Sequence, residues 1–451
     1  MPKLILRHLN LADKKELGLA LKRAKKILLN NKPSVIIGNL NHVVRQLLKK
    51  KQRILKLAQK HITPFFILDN EELENSINSY KKAFVKFLPQ SEHYYAVKLN
   101  HYPEIIKKTL KSGFGLDVSS TRELKLGLSL GAKKIIFNGP AKTEIDLVEA
   151  LKNHKNITVN IDSFSELTRL GKLAEKQEKS IRAGVRIFTK YHGEWTKFGI
   201  ALNDLSAFWK KAKKFPRLNL AGVHFHISWN ENALPYQKVI KDLSGYLKAN
   251  FNQADLDQIK FIDIGGGFRP YNSEGYYPWR LPQGRIMQET ANFFNEEPKF
   301  KHKFYIPKAI TINEYARGIA EAIKKYLNPL VNCLIYTEPG RYISNNAMHF
   351  LTKLVDLKAP NYGVADGGIN AIGWERFYYE YFPLINLTHP SLKEIDFTLY
   401  GSLCMHDDLW GYYCYAKKMR EGDLILVPYQ GALTYSLAQN FIKEIPPVYK
   451  M

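Results

Sequence analysis

Tyr94-Tyr95-Ala96-Val97-Lys98 is an apolar strand that delivers a single amine to its carboxyl end. Desolvation disfavours the ammonium form, so a half-buried lysine at such a place can be neutral enough to condense with an aldehyde. Taken alone, the pentapeptide is more readily a strand that ends in a solvated lysine. The residues beyond Lys98 decide between the two.

From Lys98 onward one pattern recurs: a short apolar strand ends in a polar residue or glycine and leads into a lysine-rich helical stretch. The strands read as Tyr94–Lys98, Phe114–Val118, Lys134–Asn138, Ile157–Asp162, Ala183–Phe188, Ala221–Ile227, Phe261–Gly265 and Cys333–Glu338. Amphipathic segments such as Pro103–Lys111 and Arg122–Leu130 lie between them, and residues 270 to 330 hold a Tyr/Pro-rich loop and then a helix over Asn313–Tyr326. Alternating strands and helices predict a parallel sheet with right-handed crossovers, and eight units predict a closed (β/α)8 TIM barrel.

The polar residues support that prediction. Lys98, Asp117, Asn138, Asp162, Arg186, His226, Gly265-Gly266-Gly267 and Glu338 all fall at or just past the carboxyl ends of their strands, where barrel active sites are built. Each alone is as readily structural, and Asp162 is also placed to cap a helix that starts near Phe164. After Arg341 the helices stop and strand-like segments take over: Phe350–Leu357, Asn361–Ala365, Asp396–Leu403 and Asp423–Pro428. They predict a separate C-terminal β domain, with Thr63–Leu68 joining it from before the barrel. The expected division is a barrel over 72–342, a β domain of 61–71 plus 343–451, and a basic helical extension over 1–60.

That extension carries most of the charge asymmetry. The chain of 451 residues has a formal net charge of +25, and before residue 61 Lys and Arg outnumber Asp and Glu 16 to 2. The run Leu47-Leu48-Lys49-Lys50-Lys51-Gln52-Arg53-Ile54-Leu55-Lys56-Leu57 reads as a basic amphipathic helix. Such a helix either meets an anionic partner or packs its apolar stripe on the main body, and the second is the expectation. No phosphate loop, zinc finger or aromatic RNA-binding signature accompanies it, so nucleic acid is not an expected partner. No apolar run approaches the roughly 20 residues of a membrane span, and no signal peptide is evident. Cys333, Cys404 and Cys414 show neither metal-ligand spacing nor a disulfide framework. A cytoplasmic protein without a bound metal is expected.

A lysine nucleophile beside phosphate donors, a flat ring and a carboxylate describes a pyridoxal 5'-phosphate site. Gly265, Gly266 and Gly267 let backbone amides approach a phosphate, and Gly340-Arg341 add an amide and a guanidinium. On these residues the chain resembles, from about Thr63 to Phe441, the barrel-type (fold type III) pyridoxal phosphate decarboxylases, which include diaminopimelate and ornithine decarboxylases and have an alanine racemase-like architecture. The resemblance implies that Lys98 bonds to the cofactor, that His226 of His224-Phe225-His226-Ile227-Ser228 stacks on its ring, that Glu338 of Glu338-Pro339-Gly340-Arg341-Tyr342 pairs with the ring nitrogen, and that Asp117 supports the cofactor face. It also implies a homodimer with shared sites, in which Cys404 of Gly401-Ser402-Leu403-Cys404 serves the partner's cofactor. Without the resemblance, Cys404 is a small buried hydrophobe.

Glu338 argues for decarboxylation, because a carboxylate keeps the pyridine nitrogen protonated as an electron sink. The related alanine racemases place an arginine there. A racemase and a non-catalytic binding protein on the same fold are the alternatives. Three positions depart from the family pattern. Met405 stands where relatives that hold a diamine have an acid, which leaves Asp408 as the expected substrate contact. Trp374 stands where diaminopimelate decarboxylases have an arginine. Leu433 replaces a phosphate-binding tyrosine, for which Tyr435 would substitute from the same face of a strand, unless it is a core residue. Expected substrates are basic or D-configured amino acids, or the carboxylated amine adducts of siderophore and polyamine pathways.

Overall fold

The computed structural model describes residues 11–30, 35–36, 40–192, 197–373 and 376–451. Eight parallel strands close on themselves: β1 (Ser91–Ala96), β2 (Gly115–Val118), β3 (Ile135–Phe137), β4 (Ile157–Ile161), β5 (Ile181–Phe188), β6 (Leu218–His224), β7 (Phe261–Asp263) and β8 (Leu334–Thr337). Each pairs with its successor in the chain, and β8 returns to β1 with Ile335 opposite Ser91. All eight expected strands are present, most of them shorter or shifted at an end. Lys98 itself lies just past β1, in the single turn Val97–Leu99.

Side-chain caps mark where several helices begin. Ser120, Thr143, Ser163 and Thr311 each accept the amide proton three residues on, and Thr143 and Thr311 form reciprocal capping boxes with Asp146 and Glu314. Ser163, not Asp162, therefore caps Phe164–Lys176. Pro103–Lys111 forms as expected, with Pro103 at its first position. Between 270 and 330 the expected helix is Ile312–Ala322, extended by a wider turn to Leu327, and a further helix, Pro282–Phe294, precedes it.

The amino-terminal half of the barrel interior is filled by Tyr94, Ile136, Ala221, Phe261 and Tyr336. Phe261 and Tyr336 stack at 4.7 Å, under the guanidinium of Arg182 at 4.8 Å. Gly222 makes room for this plug, since a Cβ there would lie 2.4 Å from the Phe261 ring. The plug closes one end and leaves the polar strand ends facing a cavity at the other.

The second sheet has eight strands. Met348–Ala359 pairs antiparallel with Phe65–Leu68, which pairs in parallel with Val448–Lys450 on its other side. The strands over 390–427 are Pro390–Tyr400, Leu409–Ala416 and Leu424–Val427. The expected strand ending at Leu403 stops at Tyr400, so Cys404 lies in a loop.

In the basic extension the expected helix is two helices, Asn41–Lys49 and Lys51–Lys60, broken at Lys50. Val43, Val44, Leu47 and Ile54 are buried, and Lys50 reaches Asp69 at 2.5 Å. The apolar stripe of residues 40–60 thus packs on the body. Leu11–Asn30 is a separate basic helix that exposes Leu17, Leu21 and Leu28. No helix among the described residues is long and apolar enough to cross a membrane.

Candidate active site

A cavity of about 460 Å³ opens at the carboxyl ends of the barrel strands, and Lys98, Arg186, His226, Gly267, Glu338 and Arg341 are in its lining. Lys98 Nζ lies 3.3 Å from Asp117 Oδ2. Burial works against the ammonium, but the negative charges of Asp117 and Glu338 outweigh it, and the Lys98 pKa is raised. In this state the amine is a cation. That corrects the expectation that desolvation alone would neutralise it.

Glu338 is almost completely buried, directly after β8. Its Oε1 accepts a hydrogen bond from the Asn138 side-chain amide, while Oε2 has no hydrogen bond and faces His226 Nδ1 at 3.4 Å and His224 Nε2 at 3.6 Å. Burial pushes its pKa up, but the neighbouring His224 and the Lys98 charge more than reverse this, and the pKa is held well below the usual carboxylate range. His226 Nδ1 accepts the Gly266 amide proton at 3.1 Å, so its own proton sits on Nε2. Burial lowers the His226 pKa to about 4. The ring is therefore neutral, and it lines the cavity.

The glycine triplet is divided in its roles. Gly265 N–H donates to Asp263 Oδ1 at 2.9 Å and Gly266 N–H to His226, whereas Gly267 lines the cavity. Gly265 and Gly267 have φ of +67° and +87°, and a Cβ on Gly266 would lie 2.2 Å from the Glu338 carbonyl oxygen. Substitution would distort the turn at all three. Arg341 begins a short helix, lies 4.4 Å over the Trp229 ring and forms an ion pair with Glu274. Arg186 projects from β5, 4.0 Å from Asp162 and over the Phe198 ring.

Three expected site residues lie elsewhere. Asp408 is buried with both oxygens engaged, Oδ1 by the Ile369 amide at 2.8 Å and Oδ2 by the Leu403 amide at 2.6 Å. It braces the loop that carries Cys404, and it lies outside the lining of the Lys98 cavity of its own chain. Tyr435 lies in the helical turn Tyr435–Leu437 rather than in a strand, so the same-face argument fails. Its ring packs edge-on against Phe66 at 5.5 Å and Tyr102 at 5.6 Å, while Leu433 lines the cavity. Tyr435 packs on these two rings and lies outside the lining of the Lys98 cavity. Cys404 is exposed and outside the lining of the Lys98 cavity. Trp374 lies outside the described residues.

Sequence reasoning passed over His224, Asn160 and Trp229. A second histidine two residues before His226 in the sequence was the available signal for the first. Trp229 lines the cavity with φ of +60°, which nothing in its local sequence announces.

These residues fit pyridoxal phosphate. Glu338 Oε2 is a buried anionic acceptor without a donor, as a protonated ring nitrogen requires, and Lys98, His226, Gly267 and Arg341 share its cavity. Residues 72–345 match the family described as "Pyridoxal-dependent decarboxylase, pyridoxal binding domain". The chain is 25% identical over 403 residues to diaminopimelate decarboxylase of Aquifex aeolicus, covering 86% of each protein. To the Campylobacter jejuni diaminopimelate decarboxylase it is 26% identical over 410 residues, covering 86% of this chain and 90% of the relative. Among solved structures, diaminopimelate decarboxylase from M. jannaschii in complex with L-lysine superposes with a TM-score of 0.72 at 23% identity, covering 88% of this chain and 89% of that one. A lysine/ornithine decarboxylase from Vibrio vulnificus complexed with putrescine gives 0.70 at 21% identity, with 89% and 98% covered. With the barrel, its donor set and the family match in agreement, the chain belongs to the pyridoxal-dependent decarboxylases and is a pyridoxal phosphate-dependent carboxy-lyase.

Proposed function

We propose that Lys98 carries the cofactor, that His226 covers one face of its ring, and that Glu338 holds the ring nitrogen protonated. When bound, pyridoxal phosphate supplies an electron sink for the pair released as carbon dioxide leaves Cα. The observation that carries this reading is the buried, ionised Glu338 with one oxygen lacking a hydrogen bond. Asp117 orients the Lys98 amine and balances its charge. Gly267 and Arg341 receive the phosphate, with Leu433 closing that side by apolar contact rather than by a hydroxyl.

The active unit in this reading is a homodimer in which Cys404 returns a proton to Cα in the partner's site. Its exposure on a loop of the carboxyl-terminal domain supports this placement. The division into a barrel over 72–342, a β domain of 61–71 plus 343–451 and an extension over 1–60 belongs to the same reading, as does a cytoplasmic location.

The substrate class is a basic amino acid, including the D-configured forms, or a carboxylated amine adduct of the siderophore and polyamine type. The relatives named for diaminopimelate, lysine and ornithine support the basic class. Met405 removes one acidic contact expected for an ordinary diamine tail and leaves Asp408 as the remaining acidic candidate. Measuring carbon dioxide release from the holoenzyme over a panel of L- and D-lysine, ornithine, arginine, diaminopimelate and carboxylated polyamine adducts tests the assignment. Release from none of them, by protein whose Lys98 carries the cofactor, would overturn the substrate class.

A further inference from the structure

Two buried asparagines cross the floor of the cavity. Asn160 Nδ2 donates to Asn138 Oδ1 at 3.0 Å and to Asp263 Oδ2 at 3.2 Å. Asn138 Nδ2 in turn donates to Asp117 Oδ1 at 2.8 Å and to Glu338 Oε1. Both asparagines are at most 2% exposed. The chemistry fixes the Asn138 orientation, because the flipped amide would set its carbonyl oxygen against two carboxylates. The Asn138 carbonyl then requires a donor, which Asn160 supplies.

We infer that Asn138, held by Asn160, is the positioning residue that couples the Lys98 end of the site to the Glu338 end. One amide group spans the carboxylate beside the nucleophilic lysine and the carboxylate at the ring nitrogen, so it sets their separation and lowers the cost of keeping two like charges in one buried site. The groups facing this pair are Lys98 after β1, Asp117 on β2, Arg186 on β5, His224 and His226 at β6, Asp263 on β7 and Glu338 after β8. Burial and the neighbouring Glu338 raise the Asp263 pKa, and Asp263 closes the relay by accepting the Asn160 amide at 3.2 Å. The inference rests on the cofactor placement proposed above.

Two variants of similar volume separate charge from packing. Asn138→Leu removes both donated hydrogen bonds, and Asn138→Asp places a third carboxyl between the two. In both, kcat should fall on the order of a hundredfold with KM changed less than about threefold, since the lost interaction acts on charge that develops during the reaction. The absorbance of the bound cofactor, titrated with pH, should shift its midpoint by about one unit or more relative to the parent. Asn160→Ser keeps Asn138 but loses its fixed donor, and should move the same midpoint in the same direction by less. Should the Asn138 variants fail to fold, the Asn160→Ser titration decides the matter. A parental midpoint and parental kcat in the variants that fold, with only a lowered Tm, would make the relay structural and overturn the inference. Borohydride reduction run in parallel keeps the two levels distinct: if the parent does not retain the cofactor on Lys98, the cofactor placement fails, whatever Asn138 does.

Discussion

Lys98 and Asp117 form a 3.3 Å ion pair across the ends of two adjacent barrel strands, and Asp117 is fully buried while the lysine reaches the cavity. The lysine is therefore oriented before any cofactor arrives, and its charge has a fixed partner. Lys98→Ala should abolish the visible absorbance of the holoenzyme, and borohydride should leave a pyridoxyl mass on the peptide that contains Lys98 in the parent alone. Mass on another lysine would refute the assignment.

Glu338→Arg should suppress carbon dioxide release by about a hundredfold or more, while cofactor affinity changes by less than about tenfold. The phosphate contacts survive the substitution, whereas the acceptor at the ring nitrogen does not. Parental turnover would remove Glu338 from that position.

Shared sites make a specific demand on mixed dimers. Lys98→Ala and Cys404→Ala proteins, unfolded together and reassembled, should recover about a quarter of parental activity through heterodimers with one intact site. Neither variant alone should recover. Inactivity of the mixture despite verified subunit exchange would place both residues in one chain.

Asp408→Asn should destabilise the protein by about 1–3 kcal/mol, because one of the two buried amides of Leu403 and Ile369 loses its acceptor. Denaturant titration measures the loss. An unchanged substrate preference would make its role that of a loop brace, and a changed preference would show that it also contacts substrate.

Burial holds His93 and His226 at pKa values of about 4, against an ordinary value of 6.5. Between those two values the unfolded chain binds protons that the folded protein refuses, so stability is full above about pH 6.5 and falls as pH drops towards 4. His93→Gln should reduce the slope of stability against pH in that window by up to about 1.4 kcal/mol per unit. An unchanged slope would show that His93 titrates normally.

Much of this architecture was legible because barrel strands are short, apolar and punctuated. The carboxyl-end positions of Lys98, Asn138, Arg186, His226 and Glu338 could be read from one strand at a time. Their hydrogen bonds could not, since Asn138 meets Glu338 and Asn160 meets Asp263 only where the sheet closes. Period-two reasoning failed at Tyr435 because the segment turns into a helix. Asp408 was chosen for its charge. Its carboxylate also accepts two backbone amides, which a side-chain pattern does not reveal.

The strand Phe65–Leu68 lies between Met348–Ala359 and Val448–Lys450. During synthesis it must wait for nearly the whole barrel to emerge before either neighbour exists, and its partners close loops of several hundred residues. The strand is entirely apolar and fully buried in the finished sheet. A nascent chain therefore presents an unpaired hydrophobic edge for most of its elongation, which makes this segment the place where chaperone capture or misassembly of the newborn protein would concentrate.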